Sequence, residues 1–190
     1  MKKYKYDVAL SFADEDVDVA VGIYLALKST KEQNTVYYYK KNLDTAGTPL
    51  KKVLPDIYKN QARFVIMLVS ASYIDKNKRY VPLEAEAILA RWKSNPQESF
   101  LIPVLVDGTK LDKVDSVLTG DIAYEKWTHD PEILAEKIWD RVRKLRKEDP
   151  EDKKKEANGD TVIFNNGDLK SNTGPIIQTG INHGDINYNS

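Results

Sequence analysis

The sequence has no cysteine, only two histidines and two methionines, and no long apolar run. Each scarcity removes a class of function. Without cysteine there is no disulfide framework, no thiolate zinc site and no cysteine nucleophile, a composition compatible with a reducing cytosol. His129 and His183 alone are poor material for a serine–histidine triad or a histidine-rich metal site. The longest apolar run, FVIMLV over 64–69, is far below the roughly 20 residues of a membrane-spanning helix. MKKYKYD at the start is basic but has no apolar segment behind it, so no export signal is read there. Lys plus Arg and Asp plus Glu balance at 29 each, which offers no field to nucleic acid or an anionic membrane. Neither GxxxxGK[ST] nor a GxGxxG after a strand occurs. The expectation is a cytoplasmic protein with no metal, no resident cofactor and no nucleic-acid or membrane partner.

The 190 residues, 41% apolar and 31% charged, suffice for one ordinary domain and a small appendage. YDVALSF (6–12) reads as a strand. Val17, Ala20, Val21, Tyr24 and Leu27 then recur at helical spacing. NTVYYY (34–39) is a second strand. Leu50, Val53, Leu54 and Ile57 mark a second helix, with Thr48 as N-cap, Pro49 at N1 and Pro55 expected to kink or split it. RFVIMLVS (63–70) has the unbroken apolar character of a strand buried on both faces of a parallel sheet. A helix starting near Pro82 follows. FLIPVLV (100–106) is a fourth strand, its Pro103 placing it near an edge. DIAYE (121–125) is a short fifth, and Leu134, Ile138, Val142 and Leu145, with Trp139 as core anchor, form the last helix. This alternation defines an α/β fold, a doubly wound five-stranded parallel sheet flanked by helices. In such folds ligands bind beyond the carboxyl ends of the strands, near the point where strand order switches. The search narrows to the loops after Phe12, Tyr39 and Ser70.

The domain spans residues 1–146, followed by a charged linker over 147–157. Residues 158–190 hold five of the nine glycines and repeat NGD, then HGD. Asn-Gly turns between short apolar-containing runs make this tail β-prone. It is too small to bury a core alone, so it is either disordered or ordered by self-association.

Two carboxylates, Glu84 and Glu86, open the third helix within RYVPLEAEAILARW (79–92). Two residues are about 200° of helical rotation apart, so they face different ways, and Glu86 is read as surface. Glu84 is at the ligand-accepting rim. It is either an acid that complements the helix dipole or a group with chemistry to perform. Asp14, Glu15 and Asp16 suit a helix start. A phospho-acceptor receiver would also need an aspartate ending the third strand, where Ser70 stands. His129 is read as a surface histidine.

In order, YDVALSFADED, YYYKKNLDTAGTPL, RFVIMLVSASYI, the YVPLE turn and FLIPVLVD resemble a Toll/interleukin-1 receptor (TIR) domain of the bacterial branch, over about residues 4–146. The resemblance implies a flavodoxin-like sheet. It further implies either an enzyme cleaving the nicotinamide–ribose bond of NAD+, to ADP-ribose or a cyclic variant, or an adaptor that only binds other TIR domains. The enzymes' pattern S-x-x-Y…W-x-x-x-E falls on Ser70, Tyr73, Tyr80 and Glu84, with Tyr80 where tryptophan is commoner. By this likeness Glu84 is the catalytic carboxylate, Tyr80 stacks on substrate, and Phe12 and Ala13 flank the pocket, although core packing accounts for Phe12 equally well. The loop KKNLDTAGTP (40–49) corresponds to one that contacts other TIR domains and closes over substrate. Its Leu43 is either a docking residue or tucked into the core.

Cleaving a bond to cationic nicotinamide passes through an oxocarbenium-like ribose. A nearby carboxylate stabilises it, and the neutral leaving group needs no general acid. The leading expectation is an NAD+-cleaving defence effector or signal generator of the antiphage kind, with NAD+ as substrate and a homo-oligomer formed through 40–49 and 158–190. The alternatives are a non-enzymatic TIR module and a nucleoside deoxyribosyltransferase-like enzyme.

Overall fold

A computed structural model describes residues 4–29, 35–42, 47–119 and 122–148. Five strands form one parallel sheet: β1 (Tyr6–Ser11), β2 (Val36–Tyr37), β3 (Ala62–Val69), β4 (Leu101–Leu105) and β5 (Glu125–Lys126). Its order is β2-β1-β3-β4-β5, the flavodoxin-like arrangement with its switch point between β1 and β3. Four α-helices cover it: α1 (Val17–Ser29), α2 (Leu50–Asp56), α3 (Val81–Ser94) and α4 (Pro131–Glu148).

Strand side chains alternate between the faces, and the core is accordingly two layers. Val8, Leu10, Phe64, Ile66, Ile102 and Val104 pack under α1 and α4, where Trp139 is fully buried and donates its indole N–H to the Leu27 carbonyl at 3.2 Å. Ala9, Val65, Met67, Val69 and Leu101 pack under α2 and α3. By the same alternation, Ser11 points toward the α2/α3 side.

The outer strands are shorter than the sequence pattern implies. β2 keeps two of the six expected residues. Beyond Tyr37 the chain turns, with Lys41 N–H bonded to the Tyr38 carbonyl at 2.9 Å, and Tyr38 packs its ring against Tyr24 and Phe12 instead. β5 lies at 125–126 rather than 121–125. Pro103 is in the second strand from the edge. Val106 N–H bonds to Val69 of β3, while the Leu105 carbonyl bonds to Trp127 on the other side. Pro103 shares Leu105's parity, so its missing N–H points away from β3, to a side where β5 begins pairing only at Val104.

The start of α2 differs from expectation. Pro49, not Thr48, occupies the N-cap position, and no side chain caps it. Pro55 lies in the last turn of α2, and just past it the chain continues as a π-helical turn over Ile57–Gln61, a change of winding next to the expected breaker. Asp14–Asp16 form a 3-10 turn ahead of α1. α4 runs to Glu148, two residues into the expected linker. The remaining linker and the tail 158–190 lie outside the described residues.

One buried cation ties α3 to the sheet. Arg91 donates to the carbonyls of Tyr58 (3.2 Å), Ala62 (2.7 Å) and Arg63 (3.1 Å), pairs with Glu98 and lies 3.9 Å above the Phe100 ring. Its truncation removes the guanidinium donor from three carbonyls and leaves the Glu98 carboxylate with the Tyr4 hydroxyl, at 3.1 Å, but no paired cation from α3. Arg91→Ala is expected to lower unfolding free energy by about 3–5 kcal/mol, read as a reduced midpoint in urea at unchanged slope.

Candidate functional site

The site forms where β1 and β3 part at the switch point. Tyr80 precedes α3, and its carbonyl accepts from Leu83 (2.9 Å) and Glu84 (3.1 Å) N–H. With Pro82 in the first turn, where its absent N–H costs nothing, this fixes the helix start and aims Glu84 inward. Glu84 is 3% exposed, whereas Glu86 is at the surface. A cleft of about 210 Å³ opens onto Glu84, its walls including Phe12, Asp14, Tyr39, Tyr80 and Val81. A larger groove, about 420 Å³, lies along the outer side of α3 and does not include Glu84.

Three hydroxyls surround the carboxyl group. Ser11 Oγ donates to Glu84 Oε2 at 2.7 Å. Ser11 Oγ is 2.8 Å from Tyr73 Oη. Since Ser11 spends its only proton on Glu84, Tyr73 donates to Ser11, giving a chain Tyr73→Ser11→Glu84. The Tyr58 hydroxyl lies within reach of both the Leu10 carbonyl, at 2.8 Å, and Glu84. Burial pushes the Glu84 carboxyl up to about 8, against the opposing pull of the Ser11 and Tyr58 hydroxyls. Burial, with the adjacent Glu84 charge, likewise raises Tyr73 and Tyr58 far above the usual phenol range.

The rim carries charge. Tyr39 donates to Asp14 at 2.6 Å, and Lys40 pairs with the same carboxylate at 3.1 Å. The Tyr39 bond, then the Lys40 contact, hold Asp14 below the ordinary aspartate range. Glu15 pairs with Lys78. Asp16 is buried and accepts from Ser70 Oγ at 2.6 Å; burial raises its carboxyl, partly offset by that bond. The acidic trio therefore has a separate set of partners for each member, beyond the helix-start role expected of it.

The sequence-read residues divide in space. Glu84, Tyr80 and Phe12 meet at the cleft. Phe12 also belongs to the core, stacked 5.4 Å from Tyr38 and 5.5 Å from Tyr39. Ala13 is fully buried in the core and not part of the cleft wall. Ser70 caps the turn after β3, accepting from Tyr73 N–H at 3.1 Å, and does not face the cleft. Leu43 lies outside the described residues. Gly47, at φ 76°, adopts the left-handed conformation glycine favours. His129 is exposed, also at positive φ (62°), with its ring against Trp127.

Sequence reasoning missed Ser11, Tyr58 and Tyr39. Ser11 had a signal: a lone hydroxyl inside the apolar run YDVALSF, on the parity facing α3. Tyr58 had none, because its placement depends on the π-helical turn. Among the described residues no group of three or more His, Asp or Glu side chains is gathered to hold a metal. No described helix is long and apolar enough to cross a membrane.

Fold and site define the class. The chain matches the TIR domain family over residues 8–140, and it belongs to that family. It is also 32% identical over 148 residues to the 3' cyclic ADP-D-ribose synthase AaTIR of Aquimarina amphilecti, an alignment covering 75% of this chain and 42% of the relative. The chain thus spans under half of that relative's length.

Glu84 makes stability depend on pH. Its folded value, about 8, lies above its ordinary 4.5. Between these pH values the folded state holds a proton that the unfolded state has lost, so wild-type stability falls as pH rises from 4.5 toward 8. Glu84→Gln removes that loss. The variant's unfolding free energy relative to wild type is expected to grow from pH 5 to 8 and then level, by on the order of a few kcal/mol in all, read as a widening gap between their melting temperatures. Parallel wild-type and variant melting curves across this range would contradict the assignment.

Proposed function

We propose that the protein cleaves the nicotinamide–ribose bond of NAD+, giving ADP-ribose or a cyclised form. The observation that carries this reading is the buried Glu84 at the floor of an aromatic-walled cleft, held by Ser11 on the switch-point side of the sheet. The similarity to a cyclic ADP-ribose synthase supports the same chemistry.

In this mechanism nicotinamide enters between aromatic rings, with Tyr80 and Phe12 as its stacking surfaces. The C–N bond breaks with its electron pair going to the pyridine nitrogen, which cancels the ring's positive charge. The ribose carbon becomes oxocarbenium-like, and the Glu84 carboxylate stabilises it electrostatically from a dry, preorganised position. Ser11 and Tyr73 orient that carboxylate. A water, or a hydroxyl of the same molecule for a cyclic product, then closes on the ribose carbon and loses its proton. The role of acid catalyst stays empty because the departing base is neutral.

Assembly belongs to the same proposal. Residues 40–49 and the tail 158–190 are its contact segments, with NAD+ turnover promoted by oligomerisation in a cytoplasmic defence role. Deleting 157–190 is expected to lower the oligomeric mass in light scattering while the circular dichroism of the domain is retained; an unchanged mass removes the tail from assembly.

For catalysis, full-length protein incubated with NAD+ over a concentration series should release nicotinamide. Glu84→Gln should lower kcat by roughly 10²–10³-fold, and Tyr80→Ala should act mainly on KM. Because the free-protein carboxyl sits near 8, kcat/KM should climb with pH up to that value. Equal nicotinamide release by wild type and Glu84→Gln would exclude Glu84 from the reaction. Absence of turnover in demonstrated oligomers would favour a binding module.

A further inference from the structure

We infer that the cleft selects its ligand by charge: a permanently cationic aromatic ring binds in exchange for the proton on Glu84, while the uncharged ring of the same shape is discriminated against. The inference rests on the nicotinamide reading above and extends it to a proton-coupled preference for the oxidised over the reduced dinucleotide.

The geometry comes first. Phe12, Tyr39 and Tyr80 present ring surface to a cleft whose floor is a carboxyl group. Aromatic faces converging on a carboxylate are how proteins recognise cations that cannot be hydrogen-bonded, since the ring quadrupole attracts positive charge. Next come the charges facing Glu84 from every neighbouring element. From β1 there is the Ser11 hydroxyl, from the π-helical turn the Tyr58 hydroxyl, and from the segment after β3 the Tyr73 hydroxyl, acting through Ser11. From the turn before α1 there is Asp14, a like charge. Among the described residues no Lys, Arg or His bridges to Glu84. Of the cations on the cleft wall, Lys78 is paired with Glu15, and Arg79 lies over the Tyr80 ring, 5.1 Å from its centroid.

Glu84 is therefore a buried acid whose counter-charge has to arrive with the ligand. Burial favours its neutral form, while Ser11, backed by Tyr73, supplies the donor a carboxylate needs and the Tyr58 hydroxyl beside it also favours the charged form. A cationic ring adds the attraction that tips the group to its charged form and expels the proton to solvent. A dihydronicotinamide ring has the same outline without the charge, so it leaves the acid neutral. Bond cleavage then cancels the ring's charge as the ribose acquires it, and the attraction passes from ligand ring to ribose.

The test uses the full chain, wild type, with two probes: the cation 1-methylnicotinamide and its uncharged counterpart nicotinamide. Binding is followed by calorimetry from pH 6 to 9 in buffers of different ionisation enthalpy. Affinity for the cation is expected to rise about tenfold per pH unit below pH 8 and then flatten, with about one proton released per ligand at the low end. Nicotinamide should bind more weakly at pH 8, with no such slope. In Glu84→Gln the slope and the proton release should vanish and the two probes should bind alike. In Ser11→Ala the flattening should move to higher pH. Equal affinity of the two probes, a pH-independent cation affinity, or no cation binding up to its solubility overturns the inference. These outcomes are separable from the catalytic reading. Turnover of NAD+ with no charge preference sinks only the inference, and charge-selective, proton-linked binding without turnover sinks only the cleavage reading.

Discussion

A single hydrogen bond, 2.7 Å from Ser11 to Glu84, joins the sheet to the helix layer at a place where a carboxyl group enters the apolar core. A buried carboxyl is tolerated only with partners, and the surrounding architecture supplies them. Strand alternation turns Ser11 toward α3, the Tyr80–Pro82 start of α3 turns Glu84 toward β1, and Tyr73 stands behind Ser11. Each comes from a different part of the chain, and all meet where β1 and β3 separate. The position of the switch point and the placement of the buried carboxyl group are thus one constraint seen from two sides.

Arg91 is the structural counterpart at the other end of α3. Seven residues from Glu84, it lies on the same face of the helix, and binds the carbonyls at the junction of the π-helical turn and β3. These two buried side chains of α3 play opposite parts. Arg91 has every donor direction occupied and fixes the register of helix against sheet. Glu84 has hydroxyl neighbours and an open cleft in front of it. The rigidity of one is the condition for the placement of the other, because a carboxyl group that could slide along the sheet would lose Ser11.

The architecture was legible wherever a segment was long and buried. RFVIMLVS had to be a central strand, and the helix at Pro82 announced itself through proline, first-turn acid and apolar spacing. Glu84 was legible as a rim acid, and its resemblance-derived role singled it out from Glu86. What could not be read depended on contacts distant in sequence. NTVYYY has the composition of a six-residue strand, yet Tyr38 and Tyr39 are claimed by Phe12 and Asp14, so pairing stops after Tyr37. Thr48 looked like a cap, but the chain reaches α2 through Pro49. Tyr58 owes its place at the site to the π-helical turn that follows α2, a departure from 3.6 residues per turn that no periodicity count contains.

The brevity of β2 and β5 has its own consequence. Each flank of the sheet offers only two residues' worth of paired backbone, too little template for a neighbouring chain to add a strand. Among the described residues, then, contacts between two copies of the domain fall to side chains on helices and loops rather than to strand addition at the sheet's flanks.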